Sequence, residues 1–168
     1  RLVAADQPKP DQLRAARQAL TDVRTVVAQT RQARLADEFD KAVALLTAAG
    51  LHCHVDAQID LDELEPSSLV GRFAPYVIRE GCTNVVHHAV DSTSVTIRID
   101  DQTVEITDDG RADSDSGRAG GTGLTGLHDR VGNHGQLLWG PRPDATGWRL
   151  ALVPAPKPVT KPATDQID

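Results

Sequence analysis

Apolar positions follow a helical period in the first half of the chain and an alternating one around and after residue 95. Leu13, Ala16, Leu20, Val23, Val27 and Thr30 recur at gaps of three and four, a heptad stripe of about two and a half repeats. That stripe fits a helix packing on its own domain and equally half of an intermolecular helical bundle. Arg14, Arg17, Arg24, Arg31 and Arg34 lie mostly off it and read as a solvated face. Phe39, Val43 and Leu46 predict a second helix over 36–49, with Gly50 as its C-cap. Residues 51–58 alternate as a strand. Pro66-Ser67-Ser68 then offers a capping serine for a third helix reaching Val90, which Pro75 kinks or whose true start it marks. Val95–Ile99 and Thr103–Thr107 alternate with period two around Asp100-Asp101, a hairpin pattern. A short helix over 124–132 and strands Gln136–Trp139 and Trp148–Val153, joined by the loop Pro141–Gly147, complete the pattern.

This order predicts an α/β (α+β) sandwich with a mixed, mostly antiparallel sheet and helices on one face. The body spans 35–153. Residues 1–34 read as a linker and helix, and 154–168, with four prolines and no periodicity, as a disordered tail.

Charge narrows the partners. Eighteen Lys+Arg against 24 Asp+Glu give a net charge of −6, and five aromatic residues leave few stacking platforms, so nucleic acid is set aside. No lysine occurs between residues 42 and 156, which excludes a G-x-x-x-x-G-K-[ST] phosphate loop. Cys53 and Cys82 form no C-x-x-C and suit a reducing compartment. No long apolar run predicts a membrane span, and the start does not resemble a signal peptide. Beginning at Arg1 with no methionine, the chain reads as a piece of a longer protein.

Ten of the 13 glycines fall between Gly110 and Gly147. Gly121-Thr122-Gly123-Leu124-Thr125-Gly126 matches G-x-G-x-x-G, but a polar segment precedes it where a dinucleotide fold needs a strand. What remains is a glycine loop entering a helix, whose free N–H groups and dipole favour an anion such as phosphate. Upstream, Glu80, Asn84, His87 and Asp91 fall on one helical stripe with His88 beside it. Glu80 could act as a base and Asn84 as an oxygen ligand to Mg²⁺; an ordinary solvated helix face is the plainer reading. His52 and His54 share a strand face away from Cys53, which argues against zinc. Trp139 and Trp148 are expected in the core, His128 and His134 on a helix surface, and Cys82 as a small buried residue.

Three ordered segments carry a resemblance. Glu80-x-x-x-Asn84-x-x-x-His88, Asp108-Asp109-Gly110 and Gly121–Gly126 followed by Leu127-x-Asp129-Arg130 resemble the N-box and two glycine boxes of the sensor histidine kinases. Arg79–Ala89 is similar to the N-box of the subgroup paired with NarL/LuxR-type response regulators. The resemblance implies a Bergerat ATP-binding fold and a cytoplasmic kinase domain that moves the γ-phosphoryl group of Mg·ATP to a histidine, for relay to a response-regulator aspartate. It implies that Asp108 accepts from the adenine amino group and Gly110 lets the backbone approach the base. Asn84 would hold Mg²⁺, Glu80 would be the general base, and Gly121, Thr122, Gly123 and Leu124 would cradle phosphate. Residues 110–121 would form the ATP lid, expected to be mobile from its composition.

Two positions depart from the family. His87 stands where a lysine or arginine usually contacts phosphate, and Ala112 where the first glycine box usually ends in glycine; Arg111 and Arg118 are the candidate replacement cations. No histidine precedes His52, so the phosphoacceptor is absent. Residues 11–34 then resemble the second helix of a dimerising bundle, and this piece is expected to bind ATP without autophosphorylating alone. Expected partners are its own dimerisation domain, a second copy in the full protein and a response regulator, with no membrane contact by this piece. An anti-sigma-factor serine kinase of the same fold, and a non-catalytic nucleotide-sensing or interaction module, are the alternatives.

Overall fold

A computed structural model of the chain describes residues 35–61, 63–112, 122–143 and 145–156, with residues 18, 19 and 22. The heptad stripe, the body of the expected lid with Gly121 and Arg118, and most of the proline-rich tail lie outside the described residues.

Helix α1 covers 35–48 and buries Leu35, Phe39, Ala42 and Leu46. Val43, expected in that stripe, sits at its edge and is exposed. The helix ends in a Schellman turn: Gly50, at φ 80°, donates to Thr47 O at 3.0 Å, and Leu51 donates to Leu46 O at 2.9 Å. Strand β1 (His52–Ala57) follows at once. Helix α2 (Leu69–His88) is capped by Ser68, whose Oγ accepts from the Gly71 N–H at 3.0 Å. Pro75 lies inside α2 and does not mark its start: it forgoes one backbone bond while ten α2 residues, Pro75 among them, stay buried.

The expected end of α2 at Val90 is corrected. The Ala89 N–H still bonds Val85 O, but Ala89–Val90 form strand β2, antiparallel to β5 (Arg111–Ala112). Asp91 therefore lies beyond the helix stripe, in a turn at φ 57° that aspartate tolerates. Between these come β3 (Ser94–Ile99) and β4 (Val104–Asp108), the expected hairpin. Its turn is tied by Asp100, whose carboxylate accepts from the amides of Gln102 at 2.8 Å and Thr103 at 2.7 Å. Helix α3 (Thr122–Val131) and a 3₁₀ turn (Gly132–His134) lead to β6 (Gly135–Pro141) and β7 (Trp148–Pro154).

The main sheet has the order β1-β3-β4-β7-β6, with β1 parallel to β3 and every other pair antiparallel. One face is apolar: Val95, Ile97, Ile99, Val104, Ile106, Leu150 and Leu152 are fully buried against Val70, Val77, Ile78 and Cys82 of α2. The other face is polar, with Arg98 bonded to Asp56 at 2.9 Å and Arg149 3.5 Å from Glu105. This is the expected mixed-sheet sandwich with helices on one face. Cys82 is buried as expected, its thiol pushed up to about 12 by burial. Trp148 packs against the core, but Trp139 is 40% exposed. Trp139 shares a face with buried Leu137 on an edge strand, where it meets the His128 ring edge-on at 5.9 Å.

Candidate functional site

The core face of β4 ends in a carboxylate. Val104, Ile106 and Asp108 alternate inward, so the pleat that buries two aliphatic side chains also buries Asp108, at 3% exposure. Its Oδ1 accepts the Gly110 N–H at 2.8 Å, while Oδ2 is buried with no hydrogen-bond partner. Burial pushes the Asp108 carboxyl above the usual carboxylate range, against the opposing pull of the Gly110 and Trp148 amides and of Arg142. An orphaned buried acceptor costs free energy until a donor reaches it. Two close approaches leave no room for side chains here: a Cβ on Gly110 would meet Val90 O at 2.8 Å, and one on Gly147, at φ 107°, would overlap the Asp108 carbonyl.

Asp109, next along, holds this corner. Its carboxylate accepts from the Ser92 hydroxyl at 3.0 Å, the Thr93 amide at 2.8 Å, the Thr93 hydroxyl at 2.6 Å and the Ser94 amide at 2.9 Å. Desolvation opposes the charge there, but these donors outweigh it and hold the carboxyl far below its usual range. Asp91 pairs with Arg111 across the β2–β5 ribbon. Residues 90–94 thus clasp 109–111 from one side.

The second wall is α2. Glu80 and Asn84, one turn apart, are half-buried, and Asn84 Nδ2 is buried without a partner. His87 and His88 are exposed at the helix end, their rings edge-to-face at 6.1 Å. The third wall is the start of α3. Thr122 is exposed there, while Leu124 turns its side chain into the core and can offer a ligand only its backbone. Gly123 lies against Glu80 so closely that a Cβ would overlap the carboxyl group. Glu80 on α2 and Gly123 on α3, far apart in sequence, are therefore in contact. Ala112 enters through its backbone, paired with Ala89.

Sequence reasoning passed over three features: the Asp109 clamp, Gly147, and the Tyr76 ring that carries the guanidinium of Arg130 at 4.5 Å and that of Arg79 at 5.5 Å. A hydroxyl-rich Ser92-Thr93-Ser94 beside an Asp-Asp pair is the signal that could have found the first. Arg111, a candidate replacement cation, is engaged by Asp91. His52 and His54 are exposed on β1 and Cys53 half-buried, as alternation implied. His128 and His134 are exposed, His134 in the 3₁₀ turn and not in α3. Among the described residues no helix is long and apolar enough to cross a membrane.

No protein-family model and no curated protein matches the sequence. Solved structures do match in fold. A histidine kinase domain from the blue-light activated histidine kinase of Erythrobacter litoralis EL346 superposes with a TM-score of 0.51 at 19% identity, over 72% of this chain and 60% of that one. The cytoplasmic segment of histidine kinase QseC gives 0.51 at 11% identity, over 93% of this chain and all of that one. A longer form of the Erythrobacter kinase gives 0.50 at 18% identity, over 90% and 65%. The chain thus spans less than two thirds of the Erythrobacter structures, and the likeness is one of fold.

Proposed function

We propose that this chain is the ATP-binding catalytic domain of a sensor histidine kinase. The observation that carries the reading is Asp108: a buried carboxylate with an unpartnered Oδ2, at a corner where Gly110 and Gly147 pack tightly on neighbouring backbone, suits a donor such as the exocyclic amino group of adenine. The N-terminus of α3 supplies free amides for the phosphates, and Asn84 offers one neutral oxygen to Mg²⁺. Magnesium takes most of its shell from water and phosphate, so one protein oxygen is enough; bound there, it would neutralise phosphate charge. The half-buried Glu80 carboxylate accepts the proton that an incoming imidazole gives up as its lone pair forms the N–P bond and the bond to the ADP oxygen breaks. Phosphoryl transfer asks the protein mainly for positioning and charge stabilisation. The acceptor histidine, the dimerisation helices and a NarL/LuxR-type response regulator are the partners this reading requires.

Calorimetry with a non-hydrolysable ATP analogue and Mg²⁺ tests it. The parent chain binds, and Asp108→Asn, which turns an NH₂ toward the adenine NH₂, loses about tenfold or more in affinity. No binding by the parent overturns the reading.

A further inference from the structure

Glu80 and Gly123 compete for one space. A Cβ on Gly123 would overlap Glu80 Oε1 and come within 2.7 Å of Oε2. The helix bearing Gly123 cannot withdraw, because Leu124, Leu127 and Val131 anchor α3 in the core. Two ring contacts fasten it and the turn after it along α2 in the reverse direction: Arg130 lies 4.5 Å from the Tyr76 centroid and His134 5.8 Å from that of Phe73. Glu80, Tyr76 and Phe73 are thus met in turn by Gly123, Arg130 and His134. The mobile partner is the end of the Glu80 side chain, which can rotate about its χ angles.

We infer that Gly123 is a positioning residue for Glu80: its missing side chain holds open the place from which the carboxylate works, over and above any approach of phosphate to α3. This rests on reading Glu80 as the base of the proposed phosphoryl transfer. An alanine at 123 leaves the fold intact and evicts the carboxylate, while the base pocket at Asp108 and Gly110 is untouched. A glycine serving phosphate approach alone makes the opposite demand, since its replacement would cost nucleotide affinity and leave Glu80 in place.

A thermal double-mutant cycle needs no nucleotide. In a Glu80→Ala background, Gly123→Ala raises the melting temperature by about 2 °C, because alanine outranks glycine in a helix; with Glu80 present that gain is absent or reversed. Equal shifts in the two backgrounds overturn the proposal. The same variants are then titrated with the non-hydrolysable analogue and Mg²⁺, and assayed for transfer from ATP to a histidine-bearing phosphoacceptor domain supplied in trans. Gly123→Ala keeps its affinity within about threefold of the parent and loses about 100-fold or more in transfer, the range for removing a general base. Glu80→Asp, one carbon shorter, recovers part of the transfer in the Gly123→Ala chain. A tenfold loss of affinity without thermal coupling assigns the glycine to phosphate alone and overturns the proposal. Failure of the parent to bind the analogue strikes the proposed function and the role of Glu80 with it, whereas a failed thermal cycle with normal binding removes only the role of Gly123.

Discussion

Asp108 and Asp109 are neighbours with opposite titration behaviour, and strand geometry is the reason. The pleat turns Asp108 into the core, where burial raises its carboxyl, while Asp109 turns outward to four hydrogen-bond donors that lower it. Their linkage to stability therefore has opposite signs. Asp108 holds its proton more tightly in the folded chain, so stability falls as pH rises from the usual carboxylate range through its raised value. Asp109 releases its proton more readily in the folded chain, so its contribution is present above the ordinary aspartate range and is lost as pH falls toward its lowered value. Asp109→Asn keeps an acceptor for the Ser92–Ser94 donors and abolishes that titration. Its unfolding curve, followed from pH 6 to pH 3, loses less stability than the parent's; an unchanged acid loss would show that the clamp does not depend on charge. Asp109→Ala, which removes the clamp outright, destabilises at both ends of the range.

Elements differ in how much of themselves the sequence displays. The β3–β4 hairpin and α1 are legible because local chemistry decides them: alternation with an Asp100 turn, and a helical stripe closed by Gly50. The end of α2 is not, because Ala89 and Val90 leave the helix to pair with residues more than twenty positions later. Asp91 falls on the Glu80–Asn84 stripe only while the helix is extended past that point, and the fold gives it to Arg111 instead. Trp139 escapes the core expected for it because an edge strand has a core-facing side with little core to meet. The Ser68 cap lies three turns from Glu80 on α2, which separates stability from function within one element. Ser68→Ala should lower stability by about 1 kcal/mol, or roughly 3 °C in melting temperature, and leave affinity for the nucleotide analogue unchanged. A comparable loss of affinity would mean that the helix transmits its N-terminal fraying to the site.

At the scale of the whole molecule, three walls from distant parts of the chain meet at one end of a sheet whose opposite face is a solvated charge ladder. The sequence displayed each wall as a motif, yet the contacts joining them, Gly123 on Glu80 and Val90 beside Gly110, depend on the three-dimensional path of the chain. A ligand that bridges the walls stabilises the folded state as a unit, because binding to the folded chain alone adds RT ln(1 + [L]/Kd). At a hundred times Kd that is about 2.7 kcal/mol, which for a domain of this size raises the melting temperature by roughly 5–10 °C. Mg·ATP should produce this shift, measured by scanning calorimetry. GTP, which presents a carbonyl where adenine presents its amino group, should not, because that oxygen would face the buried Oδ2 of Asp108. Equal stabilisation by the two nucleotides would mean that only the phosphates are held and that Asp108 does not read the base. Stabilisation by ATP that persists undiminished in Asp108→Asn would lead to the same conclusion from the protein's side.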